Sequence, residues 1–251
     1  MDNLRFQQAC DKIIDRNREK KGIGTLGEKT LHAVLKEYYE PDADSQEVKI
    51  GSYVADIVGE NGIFEIQTRQ LSKLVPKLEC FLQATDVTVV YPVAQIKYLM
   101  WLDEETGELS KPRKSPKCLD EFSVFRELYP LRKFIKNPRF HFIACFLELD
   151  EIRNLNGWSK NKKKGSTRFD RIPKRIISEF RLECAEDYRQ YLPLSLEKDF
   201  TSAQFADAWK TDRETARMLL NILEAAGMVV RSGKKGNSIL FSVCDGGNFS
   251  E

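Results

Sequence analysis

The dipeptide Asn61-Gly62 constrains the fold of this chain most tightly, because β-type runs flank it: Ala55-Asp56-Ile57-Val58 before and Ile63-Phe64-Glu65-Ile66-Gln67 after. Both residues tolerate the positive φ of a tight turn, so the pair predicts a β-hairpin. Side chains alternate faces along a strand, which puts Glu65 and Gln67 on one face and Phe64 and Ile66 on the other. If Asn61-Gly62 is the two-residue loop, Asp56 lies opposite Gln67. If the loop is Glu60-Asn61, Asp56 faces Glu65. Either register keeps Asp56, Glu65 and Gln67 on one face, roughly 5–8 Å apart. Two carboxylates that close repel, and burying them is costly unless a cation or a shared proton compensates. The pattern predicts a site for a hard divalent cation. The alternative is a solvated hairpin face, polar out and apolar in. Val54 and Ile63, which would share that face, argue against it.

A chain of 251 residues with 41% hydrophobic content can build one large domain or two modest ones. No apolar run approaches the ~18–20 residues that cross a bilayer, and no leader pattern opens the chain, so no membrane partner is expected. The six cysteines, Cys10, Cys80, Cys118, Cys145, Cys184 and Cys244, form no C-x-x-C pair. A disulfide framework or zinc cluster is not indicated, and a reducing cytoplasm is the simplest setting. Net charge is only +2 although 31% of residues are charged, so a nucleic-acid surface would have to come from clustering.

Apolar periodicity predicts helices over 2–19 and about 26–39, strands near 46–50, 53–58 and 63–68, a helix over about 70–84, and a covered strand at 87–91. The link from 63–68 to 87–91 is long enough for a crossover between parallel strands. A hairpin returning after Glu104-Glu105-Thr106-Gly107, a helix over about 119–136 and a strand at 140–149 follow. Composition then shifts: Lys160, Lys162, Lys163, Lys164, Arg168, Arg171, Lys174 and Arg175 face a single Asp170. This marks 158–177 as a basic linker or loop between a domain at 1–157 and another at 178–251. The latter should hold a helix near 176–191, a short helix at about 202–209, and a second helix from Thr211 to Ala226 with Glu214 completing a capping box. Gly227 should end that helix, before strands at 228–231 and 238–243.

The order helix, three strands, helix, strand over about residues 22–93, with Asp56 closing one strand and Glu65-Ile66-Gln67 on the next, resembles the PD-(D/E)xK nuclease superfamily. The resemblance implies an α/β (α+β) fold with a restriction-endonuclease-like mixed sheet flanked by helices. It implies that Asp56 and Glu65 ligate Mg²⁺ or Mn²⁺, with Glu28 as the helix-borne acid. Gln67 stands where the family usually has Lys; it can orient a water but cannot act as a useful base. Residues 195–244 resemble a winged helix-turn-helix domain, which implies a small DNA-binding domain after the nuclease-like one. Thr25-Leu26-Gly27-Glu28 also has capping-box spacing, so service to helix N–H groups is an equal reading of Glu28.

Basic side chains supply the expected contacts to DNA. Arg69, Lys73 and Lys77 could face the scissile phosphate, and Lys162, Lys163 and Lys164 the wider backbone. Arg213, Arg217 and Asn221 recur every four residues opposite Leu219, Leu220 and Leu223, as on a recognition helix, and Lys234 and Lys235 sit in the wing. His32, four residues after Glu28, could approach the site, but a satisfied core histidine is the plainer reading. His141, in an apolar strand, has the same reading. The expectation is thus a metal-dependent DNA nuclease positioned by a winged helix, with a homodimer plausible. The alternatives are a non-catalytic DNA-binding protein on a degenerate scaffold, or a protein-interaction module.

Overall fold

The computed structural model describes residues 2–21, 30–157 and 167–244, the side chains of 15–21 excepted. Two compact units emerge, each from three segments of chain. The first is Met1–Thr68, Val90–Asp120 and Ala144–Phe180; the second is Arg69–Val89, Glu121–Ile143 and Arg181–Glu251. These units interleave, whereas the sequence reading laid its domains end to end at 1–157 and 178–251. The difference comes from long strands, whose two ends belong to different units.

In the first unit, α1 (Asn3–Lys21) and α2 (Thr30–Tyr39) precede β1 (Gln46–Ile50), β2 (Tyr53–Gly59) and β3 (Gly62–Ile66). The sheet is completed by β4 (Val87–Leu102), the two-residue β5 (Arg113–Lys114), β6 (Phe140–Asn154) and β7 (Arg168–Leu182). Its seven strands run in the order β1-β2-β3-β4-β6-β7, with β5 hydrogen-bonded to β4. The β1–β2 and β2–β3 pairs are antiparallel. β4 and β6 run the same way: Val87 N–H donates to the Arg139 carbonyl at their starts, and Leu155 N–H to the Leu102 carbonyl at their ends. The expected α+β class, a mixed sheet flanked by helices, is what forms.

Helical spacing sets the packing of α1 and α2. Phe6, Ala9, Cys10 and Ile13 are buried on α1, and Leu31, Val34, Leu35 and Tyr38 on α2. Phe6 meets Tyr38 edge-on with ring centroids 5.4 Å apart. Burial, with the nearby Asp11 charge, pushes the Cys10 thiol up to about 12, and its Sγ donates to the Pro173 carbonyl. This cysteine is structural, not reactive.

Several predicted elements change. The strand at 87–91 runs on unbroken to Leu102, and the expected return after Gly107 forms, first as a single antiparallel bridge between Leu102 and Leu109 and then as β5, with Tyr98 opposite Lys114. The helix over 70–84 is a 3₁₀ turn at Leu71–Leu74 leading into α3 (Val75–Phe81), with Pro76 in its first turn. The helix over 119–136 is α4 (Glu121–Leu128) followed by a 3₁₀ stretch at Tyr129–Phe134. The helix near 176–191 is corrected: β7 continues to Leu182, and only the 3₁₀ turn Ala185–Tyr191 follows. Pairing with β6, a neighbour distant in sequence, overrides the local pattern there. β7 also absorbs the last part of the segment read as a basic linker.

In the second unit, β8 (Asp199–Thr201), α5 (Ser202–Trp209), α6 (Arg213–Ala226), β9 (Val229–Lys235) and β10 (Ser238–Val243) follow in chain order. The strands pair antiparallel as β8-β10-β9. Thr201 and Gln204 form a reciprocal capping box on α5. The cap of α6 is Asp212, not Thr211: its carboxylate accepts the Glu214 and Thr215 N–H groups, both at 2.9 Å. Lys210 ends α5 in a left-handed conformation, which leaves Thr211 inside the turn. Gly227, at φ 80°, ends α6 as its sequence position predicts. Among the described residues no helix is long and apolar enough to cross a membrane.

Candidate functional site

Strands β2 and β3 pair Gly59 with Gly62, Val58 with Ile63 and Ile57 with Phe64. The loop is therefore Glu60-Asn61, the second of the two expected registers, and it brings Asp56 into line with Glu65. Gly62 carries the positive φ, 95°, that the turn needs. Past Ile57 and Phe64, side chains take over from the backbone ladder. The Asp56 N–H donates to Glu65 Oε1 at 3.2 Å, and the Ile66 N–H donates to Asp56 Oδ2 at 2.8 Å. Each carboxylate is thus held by the backbone of the opposite strand. Glu65 is only 1% exposed and neighbours the equally buried Ile63, so a solvated face does not describe it.

α2 reaches the same place. His32 Nε2 lies 3.2 Å from Asp56 Oδ2, with the two side chains 26% and 21% exposed. The plain reading of His32 as a core histidine is corrected: it is partly exposed, and its partner is the candidate site's carboxylate. The available signal was its position in the sequence, four residues after Glu28. One residue pair earlier, Thr30 Oγ1 donates to Asp170 Oδ2 of β7 at 2.5 Å, and the Arg171 N–H donates to Asp170 Oδ1 at 2.8 Å. Asp170 is fully buried. Burial raises its carboxyl above the ordinary range, against the pull of the Thr30 and Arg171 bonds. The first turn of α2 is therefore anchored to Asp170 through Thr30 and to Asp56 through His32.

Gln67 is half-buried, and its N–H donates to the Val90 carbonyl at 3.0 Å, which joins the end of β3 to β4. Glu28, Lys162, Lys163 and Lys164 lie outside the described residues. Asp56 and Glu65 form an oxygen-rich pair of the kind that suits Mg²⁺ or Mn²⁺. A carboxylate has about four lone-pair sites, so the backbone bonds do not exhaust either one. Among the described residues no three His, Cys, Asp or Glu side chains converge as a metal-holding group. His141 is satisfied structurally, with Nδ1 2.9 Å from the Glu183 carbonyl.

The remaining basic candidates belong to the second unit. Arg69 and Lys73 are exposed, Lys73 within the 3₁₀ turn that leads directly into the helix of Lys77. Lys77, on α3, places Nζ 5.7 Å from the centre of the Phe81 ring. Arg213 and Arg217 are exposed on α6, and Lys234 and Lys235 are exposed on β9. Asn221 is engaged: its Oδ1 accepts from Arg231 Nη2 at 3.2 Å, and the same guanidinium pairs with Glu224 at 3.0 Å. Arg231 is a cation of this face that the sequence reading passed over; its place at the start of the hairpin was the signal.

The family model described as Domain of unknown function (DUF8091) matches residues 29–183. The chain belongs to the DUF8091 family. The matched segment contains α2 and the whole seven-stranded sheet, so His32, Asp56, Glu65 and Gln67 all lie in the DUF8091 part. The three-stranded sheet of the second unit lies beyond it. An uncharacterized protein of Treponema pallidum (strain Nichols) is 30% identical over 228 residues, covering 87% of this chain and 86% of the relative. No solved structure matches significantly.

Proposed function

We propose that this DUF8091 protein is a metal-dependent nuclease of the PD-(D/E)xK type, which hydrolyses phosphodiester bonds in DNA. The observation that carries the reading is the paired carboxylates at the point where β2 and β3 give up their ladder. There Asp56 and Glu65 are fixed by opposite-strand N–H groups, with His32 on Asp56.

Asp56 and Glu65 would hold Mg²⁺ or Mn²⁺, with Glu28 assisting. When bound, such an ion supplies Lewis-acid activation of water and neutralises charge on the phosphate. Glu65, buried and anchored, fixes one carboxylate; His32 is a positioning residue that sets the direction of Asp56. Gln67 orients the attacking water through its amide. Arg69, Lys73 and Lys77 are proposed to contact DNA phosphates. The helix-turn-helix and hairpin of 199–243 are proposed as a winged helix, with Arg213, Arg217 and Asn221 towards the groove and Lys234 and Lys235 towards the backbone. A homodimer would bring two such sites to the two strands of a duplex.

Gln67, standing where Lys is usual, favours a second reading: a non-catalytic DNA-binding protein built on a degenerate scaffold. Labelled single-stranded, duplex, flap and junction DNAs, incubated with Mg²⁺, Mn²⁺ or chelator, separate the two. Metal-dependent cleavage that Asp56→Asn abolishes supports the nuclease. Binding without cleavage, equal in both proteins, supports the scaffold.

A further inference from the structure

The stretch Lys111-Pro112-Arg113-Lys114-Ser115-Pro116-Lys117-Cys118 carries four cations, and no Asp or Glu stands between Glu108 and Asp120. Backbone bonds hold it against β4. Lys114 pairs with Tyr98 and Arg113 with Leu99, and the Ser115 N–H donates to the Lys97 carbonyl at 2.8 Å. The Lys117 N–H then donates to Ser115 Oγ at 3.3 Å. Pro112 and Pro116 fix φ on either side of β5 and restrict the segment further. Arg113, Lys114 and Lys117 are all exposed. With Gln95, Ile96 and Cys118 they line a surface cleft of about 570 Å³.

The cleft belongs to the first unit and lies on the edge of β4 that β3 also uses. β6 follows the other edge, from the Val87 N–H at the start of β4 to the Leu102 carbonyl at its end, so β3 and β5 share the remaining one. β3 gives out at Gln67, whose N–H reaches the Val90 carbonyl. Gln95 is five residues farther along β4, about 17 Å at ~3.3 Å per residue. The acids of the turn begin at Asp103, four residues past Leu99. That is about 13 Å along the ladder from Arg113, beyond the ~8 Å screening length of physiological salt.

Cations strung along a segment suit a chain of phosphates, whereas a lone anion is held best where donors converge on one point. An acidic peptide adding to the strand edge would need main-chain donors, and Pro112 and Pro116 withhold two of them. We propose that Arg113, Lys114 and Lys117 form a nucleic-acid-binding cleft, which takes backbone phosphates of a strand running along the β4 edge from the carboxylate pair. At ~3.4 Å per nucleotide, about five nucleotides separate the cleft from Gln67. That the bound strand is the one cut rests on the nuclease reading; binding in the cleft does not.

Cys118 is exposed in the cleft, so its alkylation reports occupancy. The test treats the full chain with iodoacetamide in chelator, with and without single-stranded DNA at a concentration that saturates fluorescence anisotropy, and reads each cysteine by peptide mass. DNA should slow modification of Cys118 several-fold, with the exposed Cys184 of the second unit as the reference. In the triple variant Arg113→Gln, Lys114→Gln, Lys117→Gln that protection should be lost. Anisotropy should then show several-fold weaker binding, with a salt slope shallower by about two. Melting temperature should stay put, because all three side chains are exposed. No protection of Cys118 at saturating DNA, or equal protection in the triple variant, would overturn the cleft. Protection by polyglutamate equal to that by DNA would overturn nucleic acid as its occupant. If no metal supports cleavage while Cys118 protection persists and needs the three cations, the nuclease reading fails and the cleft stands. Cleavage that Asp56→Asn abolishes, with Cys118 unprotected, would keep the nuclease reading and remove the cleft.

Discussion

Asp56 Oδ2 is shared between His32 Nε2, 3.2 Å away on α2, and the Ile66 N–H, 2.8 Å away on β3. One oxygen therefore joins a helix to two strands, and the direction of the carboxylate depends on a residue that need not touch substrate. His32→Ala should lower metal-dependent cleavage about 10–100-fold, as losses of such supporting contacts do. The metal concentration for half-maximal activity should rise, because Asp56 is less well placed. His32→Gln, which keeps an N–H donor, should recover part of the loss. A metal titration of all three proteins checks this.

Asp56→Asn should abolish cleavage, by at least about 10³-fold, since a neutral amide cannot replace a charged metal ligand. The amide oxygen can still accept the Ile66 N–H, so the stability loss should stay near about 1 kcal/mol, or roughly 2–4 °C in melting temperature. Cleavage assays paired with thermal melts separate chemistry from folding.

Thr30→Val should destabilise the protein by about 1–3 kcal/mol, because it removes a hydrogen bond from the fully buried Asp170 carboxylate. Thr30→Ser should restore most of it. Asp170 has a raised folded-state value, so its penalty is absent below its ordinary 3.8 and grows as pH rises through the folded value. The deficit of Thr30→Val should therefore shrink on acidification, measured by urea unfolding between neutral and acid pH.

Glu151 has the opposite sign. Burial pushes its carboxyl up, but Lys97, Arg168 and Arg153 together outweigh burial and hold it below the ordinary 4.5. A depressed value stabilises the fold above 4.5, and the contribution is lost as pH falls through the folded value. Glu151→Gln should melt lower than the wild type at neutral pH, and the gap should close below about 4.5. Melting curves against pH for the two proteins give the answer.

Arg213→Ala and Arg217→Ala, at exposed positions on α6, should change stability by less than about 0.5 kcal/mol. Under the winged-helix reading each should weaken duplex binding and flatten its salt dependence by about one contact. Anisotropy with the full chain measures both.

The hairpin, its two possible registers and the shared face of Asp56 and Glu65 were readable because turn chemistry and strand alternation are local. The choice of Glu60-Asn61 as the loop was not, since both registers put the same residues on the same face. β7 was misread along its whole length, as linker up to Arg175 and as helix from Ile176, because its pairing is with β6 and charges break up its alternation. The salt-bridge cluster was invisible for the same reason. Lys97, Glu151 and Arg168 come from three strands, and nothing local marks Glu151 as the carboxylate that Lys97, Arg153 and Arg168 approach. On α6 the periodic stripe was plain, whereas the engagement of Asn221 by Arg231 depends on how the hairpin folds back.

Strand β4 begins in one compact unit and finishes in the other, and the segments of both units alternate along the chain. The consequence is temporal. During synthesis, Met1–Thr68 must wait for roughly a hundred further residues before Ala144–Phe180 leaves the ribosome to complete its unit, a delay of about 5–20 s at ordinary elongation rates. Throughout that interval the nascent sheet ends first at β3 and then at β4, whose partner β6 has still to emerge, and that edge stands open to whatever chaperone or neighbouring chain meets it first.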